Sequence, residues 1–83
     1  MRTAQDSRVI KAAAAEIKAL RGQLDISQEE LAHRAGVNRS FVAKVEIARS
    51  QPTIAVLVRI AEGLETDAAA LVQSIVRRSR RER

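Results

Sequence analysis

Apolar residues recur along this chain at spacings of three and four, in five separate blocks. That spacing lines up side chains on one face of a helix and has no counterpart in the alternation of a strand. The first block, Ile10, Ala13 or Ala14, Ile17 and Leu20, predicts a helix from about Ser7 to Gln23. Its alanine run at 12–15 is a strong helix former, small enough to let a neighbour approach closely. Residues 1–6 are polar and expected to fray. In the second block, Leu31 and Ala35 share a face, and Ser27 with Glu30 fits a capping box that starts a helix near Gln28. Gly36 then supplies a residue that can end a helix with positive φ at little steric cost. Asn38 is a good N-cap for the third block, whose apolar side is Phe41, Val42, Val45 and Ile47 or Ala48.

Ser50, Gln51 and Pro52 interrupt the pattern before Thr53 caps a fourth helix. Ile54, Leu57, Val58 and Ala61 are expected to face inward, with Gly63 ending the helix. Thr66 or Asp67 can cap a fifth, whose Ala68, Leu71, Val72, Ile75 and Val76 form a broad apolar stripe. The stripe is wide for the last helix of so small a chain. Whatever part of it does not pack on the body invites a second subunit, so Leu71, Val72, Ile75 and Val76 are the expected dimer interface. There is no internal repeat, low-complexity linker or strand signal. The expectation is an all-α single domain over 1–83, with a core at 7–76 and a flexible basic tail at 77–83.

Only about three residues separate the second and third helices. So short a connection between amphipathic helices is the helix-turn-helix arrangement, which projects the N-terminal end of its second helix outward. Here that end is polar and basic, as in proteins that read DNA.

Composition narrows the alternatives. Eighty-three residues with one Phe, no Trp, no Tyr and abundant Ala, Val, Ile and Leu suit close-packed helices. Without cysteine there can be no disulfide framework and no thiolate metal site, which suits a reducing cytosol. No apolar run resembles a signal peptide or the roughly 18–20 residues that span a bilayer. The net charge is +5, but residues 77–83 hold five Arg against one Glu. The rest of the chain is nearly neutral, so local charge on the third helix matters more than the total.

Residues 17–64 resemble the Cro and phage-repressor helix-turn-helix family, also called the XRE family. The resemblance rests on Leu20-Arg21, on Ile26-Ser27-Gln28-Glu29-Glu30-Leu31-Ala32, on Ala35-Gly36-Val37, and on Val42, Val45-Glu46, Pro52 and Thr53 in that order. Within the family, the size and the run Asn38-Arg39-Ser40-Phe41 are similar to controller proteins of restriction-modification systems, small dimeric transcription regulators. The resemblance implies a five-helix, lambda-repressor-like DNA-binding domain.

It also implies roles that physical chemistry supports. Gln28 at a helix N-terminus can hold a DNA phosphate through its amide and the free backbone N–H groups. Arg39, Ser40 and Lys44, opposite Val42 and Val45, are the candidates for reading bases; Arg suits guanine O6 and N7 through two parallel donors. Asn38 and Arg49 are placed on backbone phosphates. Arg21 and Glu46 match a family pair that bridges the first and third helices, so they are expected to form a structural ion pair.

Two departures stand out. The family usually has Gly where this chain has Asp25, and again near Ala48. Asp tolerates the left-handed region, but Ala does not do so readily. The loop after the third helix is therefore expected to take a different path, with the helix extended by a residue or two.

Other features point away from catalysis. His33 is the sole histidine, with no ligand set around it, and is expected to be solvent-exposed. Glu29 and Glu30 complement a helix dipole and point in different directions, which makes a poor catalytic pair. No phosphate loop or nucleophile motif is present. The tail Arg77-Arg78-Ser79-Arg80-Arg81-Glu82-Arg83 has three readings: added phosphate contacts, a basic amphipathic membrane anchor, or a disordered solubilising end.

The expectation is a non-enzymatic, sequence-specific regulator that binds double-stranded DNA as a homodimer, with no cofactor, metal, membrane span or evident small-molecule ligand. Its place would be the cytoplasm, at the nucleoid, as a prokaryotic or phage protein. A restriction-modification controller is the leading form. A phage-type repressor, an antitoxin and a non-DNA-binding interaction adaptor are the alternatives.

Overall fold

The computed structural model of the protein describes residues 3–81. Met1, Arg2, Glu82 and Arg83, the outermost residues of the polar start and basic tail, lie outside the described residues. Five helices follow in order: α1 (Ala4–Gln23), α2 (Gln28–Ala35), α3 (Arg39–Glu46), α4 (Ile54–Gly63) and α5 (Ala68–Arg81). No strand occurs among the described residues. α1 packs against α5 and α3, α2 against α3 and α4, and α4 against α5.

α1 begins three residues earlier than its apolar spacing predicts. The hydroxyl of Thr3 accepts from the Asp6 backbone N–H at 3.0 Å, and the Asp6 carboxylate accepts from the Thr3 N–H at 3.1 Å. This reciprocal capping box orders a polar segment that has no apolar face of its own. Ser27 makes only half of the expected box. Its hydroxyl accepts from the Glu30 N–H at 2.9 Å, while the Glu30 carboxylate turns to Arg34 one helical turn on. Asn38 and Thr53 cap α3 and α4 through the N–H groups of Phe41 and Val56.

The main core is Ile17, Leu31, Ala32, Ala35, Val42, Val45, Ile60 and Leu64, drawn from the first four helices and the end of α4. A second cluster joins Ala12 and Ala61 to Leu71 and Ile75, and Leu20 packs against both. The alanine run thus serves as the close-approach surface for α5. Leu71 and Ile75 lie inside this chain's own core, which removes them from any surface offered to a second chain; Val72 is 42% exposed and Val76 half-buried. α4 turns a different face inward than expected. Ile54 is 83% exposed and Val58 is also outside, while Val56, Leu57, Ile60, Ala61 and Leu64 pack inward. The stretch IAVLV is apolar at every position, so periodicity alone cannot select its buried stripe.

α1 to α4 all end in the same backbone motif. An N–H returns to the carbonyl five residues earlier: Ile26 to Arg21, Val37 to Ala32, Arg49 to Lys44 and Thr66 to Ala61, at 2.9–3.2 Å. The preceding residue is left-handed in every case: Asp25 at φ 56°, Gly36 at 68°, Ala48 at 62° and Glu65 at 58°. These are Schellman caps. Ala48 therefore corrects the expectation of an altered path: α3 stops at Glu46, and alanine adopts the strained conformation that glycine would take freely. Gly63 does not terminate α4 through positive φ. It is buried where a Cβ would lie 3.0 Å from the Arg34 Cβ and 3.2 Å from Leu31 Cδ1, so its missing side chain lets α2 and α4 touch.

Those two helices also cap each other. Arg34 of α2 donates to the Gly63 carbonyl at 3.0 Å, and Arg59 of α4 donates to the Ala35 carbonyl at 2.8 Å. Each guanidinium satisfies a carbonyl left over at the partner's C-terminus and sits at the negative end of its dipole.

The basic tail is not a separate flexible end where it is described. α5 continues through Arg81, Arg78 donates to the inward-lying Glu16 carboxylate at 3.0 Å, and Ser79 is buried with its hydroxyl on the Val76 carbonyl. Arg77, Arg80 and Arg81 remain exposed.

Candidate nucleic-acid interface

α3 is an eight-residue helix with two sharply different sides. Val42 and Val45 are fully buried in the main core and Phe41 packs beside them. Arg39, Ser40 and Lys44 are exposed on the other side, as the sequence places them. Among the described residues, neither Arg39, Lys44 nor Arg49 is paired with a carboxylate. The outward face of α3 thus presents cations and a hydroxyl to solvent.

What fixes that face is a hydrogen-bonded cluster on the opposite side. Glu46, at the end of α3, has a side chain only 2% exposed. Arg21 of α1 approaches it with two parallel N–H groups, Nε to Oε2 at 2.7 Å and Nη2 to Oε1 at 3.0 Å. The remaining Nη1 donates to the Ile26 carbonyl at 2.8 Å, tying the α1–α2 turn into the same cluster. Such a fork adds geometric restraint to charge attraction. Burial by itself would push the Glu46 carboxyl up, but hydrogen bonds from Arg21 and Gln28, with the Arg21 and Lys18 charges, hold it below the usual range. The hydrogen bond to Glu46 raises Arg21 further, keeping its charge fixed.

Gln28 takes part in this cluster, which sequence reasoning did not foresee. Its Nε2 donates to Glu46 Oε1 at 3.1 Å. An amide nitrogen has two N–H groups, so one remains for another acceptor. The amide is thereby held at the N-terminus of α2, beside the end of α3. Asn38 is similarly committed in part, because its side-chain oxygen accepts the Phe41 N–H at 2.8 Å while its amide nitrogen stays available. Arg49 is exposed, and its own backbone N–H closes the α3 cap.

The apolar side was expected to end in Ile47 or Ala48; Ala48 is half-buried, and Ile47 is 63% exposed. Its position eight residues after Arg39 brings it back to the outward face, with Ala43 between them, and that count was the available signal. His33 is exposed as expected, and among the described residues no cluster of three or more His, Cys, Asp or Glu could hold a metal. No described helix is long and apolar enough to cross a membrane.

Two packed helices with a tight turn, the second carrying an exposed polar face and a locked inner one, define a helix-turn-helix protein. The family model described as helix-turn-helix matches residues 17–71, and the chain belongs to this XRE-type family of DNA-binding transcriptional regulators. Its fold is similar to that of a point mutant of the restriction-modification controller protein C.Esp1396I, with a TM-score of 0.83 and 22% identity over 100% of both chains. The clp gene regulator ClgR of Corynebacterium glutamicum has a TM-score of 0.83 at 16% identity, covering 89% of this chain and 79% of that one. For the controller protein C.AhdI of Aeromonas hydrophila the TM-score is 0.72 at 26% identity, covering 75% of this chain and 94% of that one. No curated protein matches the chain. The family is one of non-enzymatic regulators.

Proposed function

We propose that the chain is a restriction-modification controller that binds a roughly palindromic operator as a homodimer in the cytoplasm and regulates transcription of its own operon. The observation that carries this reading is the exposed Arg39, Ser40 and Lys44 face of α3, backed by the Arg21–Glu46 clamp. α3 enters the major groove and Arg39 pairs with a guanine edge, Lys44 and Ser40 with neighbouring base edges. Gln28, Asn38 and Arg49 grip phosphates on either side. One recognition helix reads too few base pairs to select a single site, so two copies related by a two-fold axis share the work. Half-site centres then lie about 34–36 Å apart.

The subtype draws support from full-length similarity in fold to a controller protein. A gel shift with the DNA upstream of the protein's own gene tests the reading. Wild type should give a specific shift, and Arg39→Ala should weaken it by about 1–3 kcal/mol. A wild-type protein that gives no specific shift would sink the proposal.

A further inference from the structure

Arg39, Ala43 and Ile47 follow one another at intervals of four and form a single row along the outward side of α3, flanked by Ser40 and Lys44. The row changes character along its length: a guanidinium at the N-terminal end, a half-buried methyl in the middle, and a branched hydrocarbon 63% exposed at the C-cap. Solitary exposed apolar residues are ordinary. Ile47 differs in its setting, because it stands one turn beyond Lys44 on the face that the proposed function places against DNA. A hydrocarbon held against the edge of guanine, adenine or cytosine would strip water from donors and acceptors and give nothing back. The one apolar group in the major groove is the methyl on C5 of a pyrimidine.

We infer that Ile47 is a specificity-determining residue that packs on a pyrimidine C5-methyl group in each half-site, thymine's in unmodified DNA. The inference rests on α3 being the groove helix. From Arg39 to Ile47 the row is about 12 Å long at 1.5 Å per residue. With base pairs stacked about 3.4 Å apart, the methyl lies roughly three to four base pairs from the base met by Arg39. Ala43 is too short to compete for the same methyl and leaves the groove floor between the two contacts open.

The test uses the full-length protein and a duplex selected by it from a random pool. Deoxyuridine replaces each thymine in turn, removing only the methyl, and 5-methylcytosine replaces each cytosine in turn. Affinities are measured for wild type, Ile47→Ala and Arg39→Ala, with thermal unfolding as the check on folding; Ile47 is exposed enough for its truncation to leave the core intact. One deoxyuridine should weaken wild type about fourfold, the worth of burying one methyl, and have no effect on Ile47→Ala. A methyl-dependent gain at a cytosine, also lost in Ile47→Ala, would support the same contact from the other source. If no base methyl couples to Ile47, the inference is overturned. Should Arg39→Ala leave affinity unchanged, α3 is not the groove helix and the wider reading fails. A loss in Arg39→Ala without any methyl coupling removes Ile47's role alone.

Discussion

Arg21 and Glu46 lie 25 positions apart in sequence and meet through two hydrogen bonds of 2.7 and 3.0 Å. Glu46 would be an unpaired buried carboxylate without its partner. Arg21→Ala should therefore destabilise the fold by about 3–5 kcal/mol and lower Tm by more than about 10 °C. It also frees the end of α3, so DNA affinity should fall even where the variant is still folded. Unchanged thermal unfolding would contradict the structural role of the pair.

The same pair makes stability depend on acidity. Glu46 binds its proton less readily when folded than when unfolded, because Arg21 and Gln28 outweigh its burial. Its contribution is complete above the unfolded value of about 4.3 and is lost as pH falls through the lower folded value. Urea unfolding of wild type and Glu46→Gln should differ most near neutrality, and the gap should narrow as pH falls below the unfolded value. Parallel pH curves would show that the carboxylate charge contributes nothing.

Ala48 holds a left-handed conformation at φ 62°, which costs an L-residue about 1–2 kcal/mol. Glycine would remove that strain but lose more freedom on folding. Ala48→Gly should raise stability by about 0.5–1 kcal/mol and leave operator affinity unaltered. A lower Tm would mean that the methyl makes packing contacts worth more than the strain.

At the other end of the chain, Arg78 and its neighbour Arg80 should behave differently. Arg78→Ala removes a charged hydrogen bond to inward-lying Glu16 and should cost about 1–2 kcal/mol, whereas Arg80→Ala should fall within about 0.5 kcal/mol of wild type. Equal, negligible effects would return the tail to a flexible end.

Of the four residues expected at a dimer interface, only Val72 and Val76 are placed to serve. Val72→Asp should shift sedimentation at tens of micromolar from dimer to monomer with helicity retained, while Leu71→Asp should unfold the chain because Leu71 is fully buried. Wild type sedimenting as a monomer at that concentration would remove the dimer.

The parts legible in the sequence are those where one local pattern decides one local structure. Asn38 and Thr53 cap their helices as expected, and Val42 and Val45 lie inward because α3 has a clear apolar side. The inward face of α4 was not legible, since Ile54 and Val58 differ from Val56 and Ile60 only in what stands opposite them. The start of α1 was missed: residues 1–6 were expected to fray because apolar periodicity is silent there, although Thr3 and Asp6 have the spacing of a capping box. Gln28 could not be assigned to Glu46 by spacing, because the bond depends on how α2 and α3 cross. At the candidate interface the helix period gave the exposure of Arg39, Ser40 and Lys44, the family resemblance gave their role, and the exposure of Ile47 was missed although the same count carried one turn further leads to it.

The four left-handed caps act as elbows of one fixed bend. Asp25, Gly36, Ala48 and Glu65 have unlike side chains, yet the chain leaves each helix in the same direction. Side-chain identity at an elbow sets what the bend costs, while the pair of backbone hydrogen bonds sets its angle. Between α2 and α3 that elbow is Gly36, so the angle between the two helices rests on a bend in the backbone and not on any side chain of the turn.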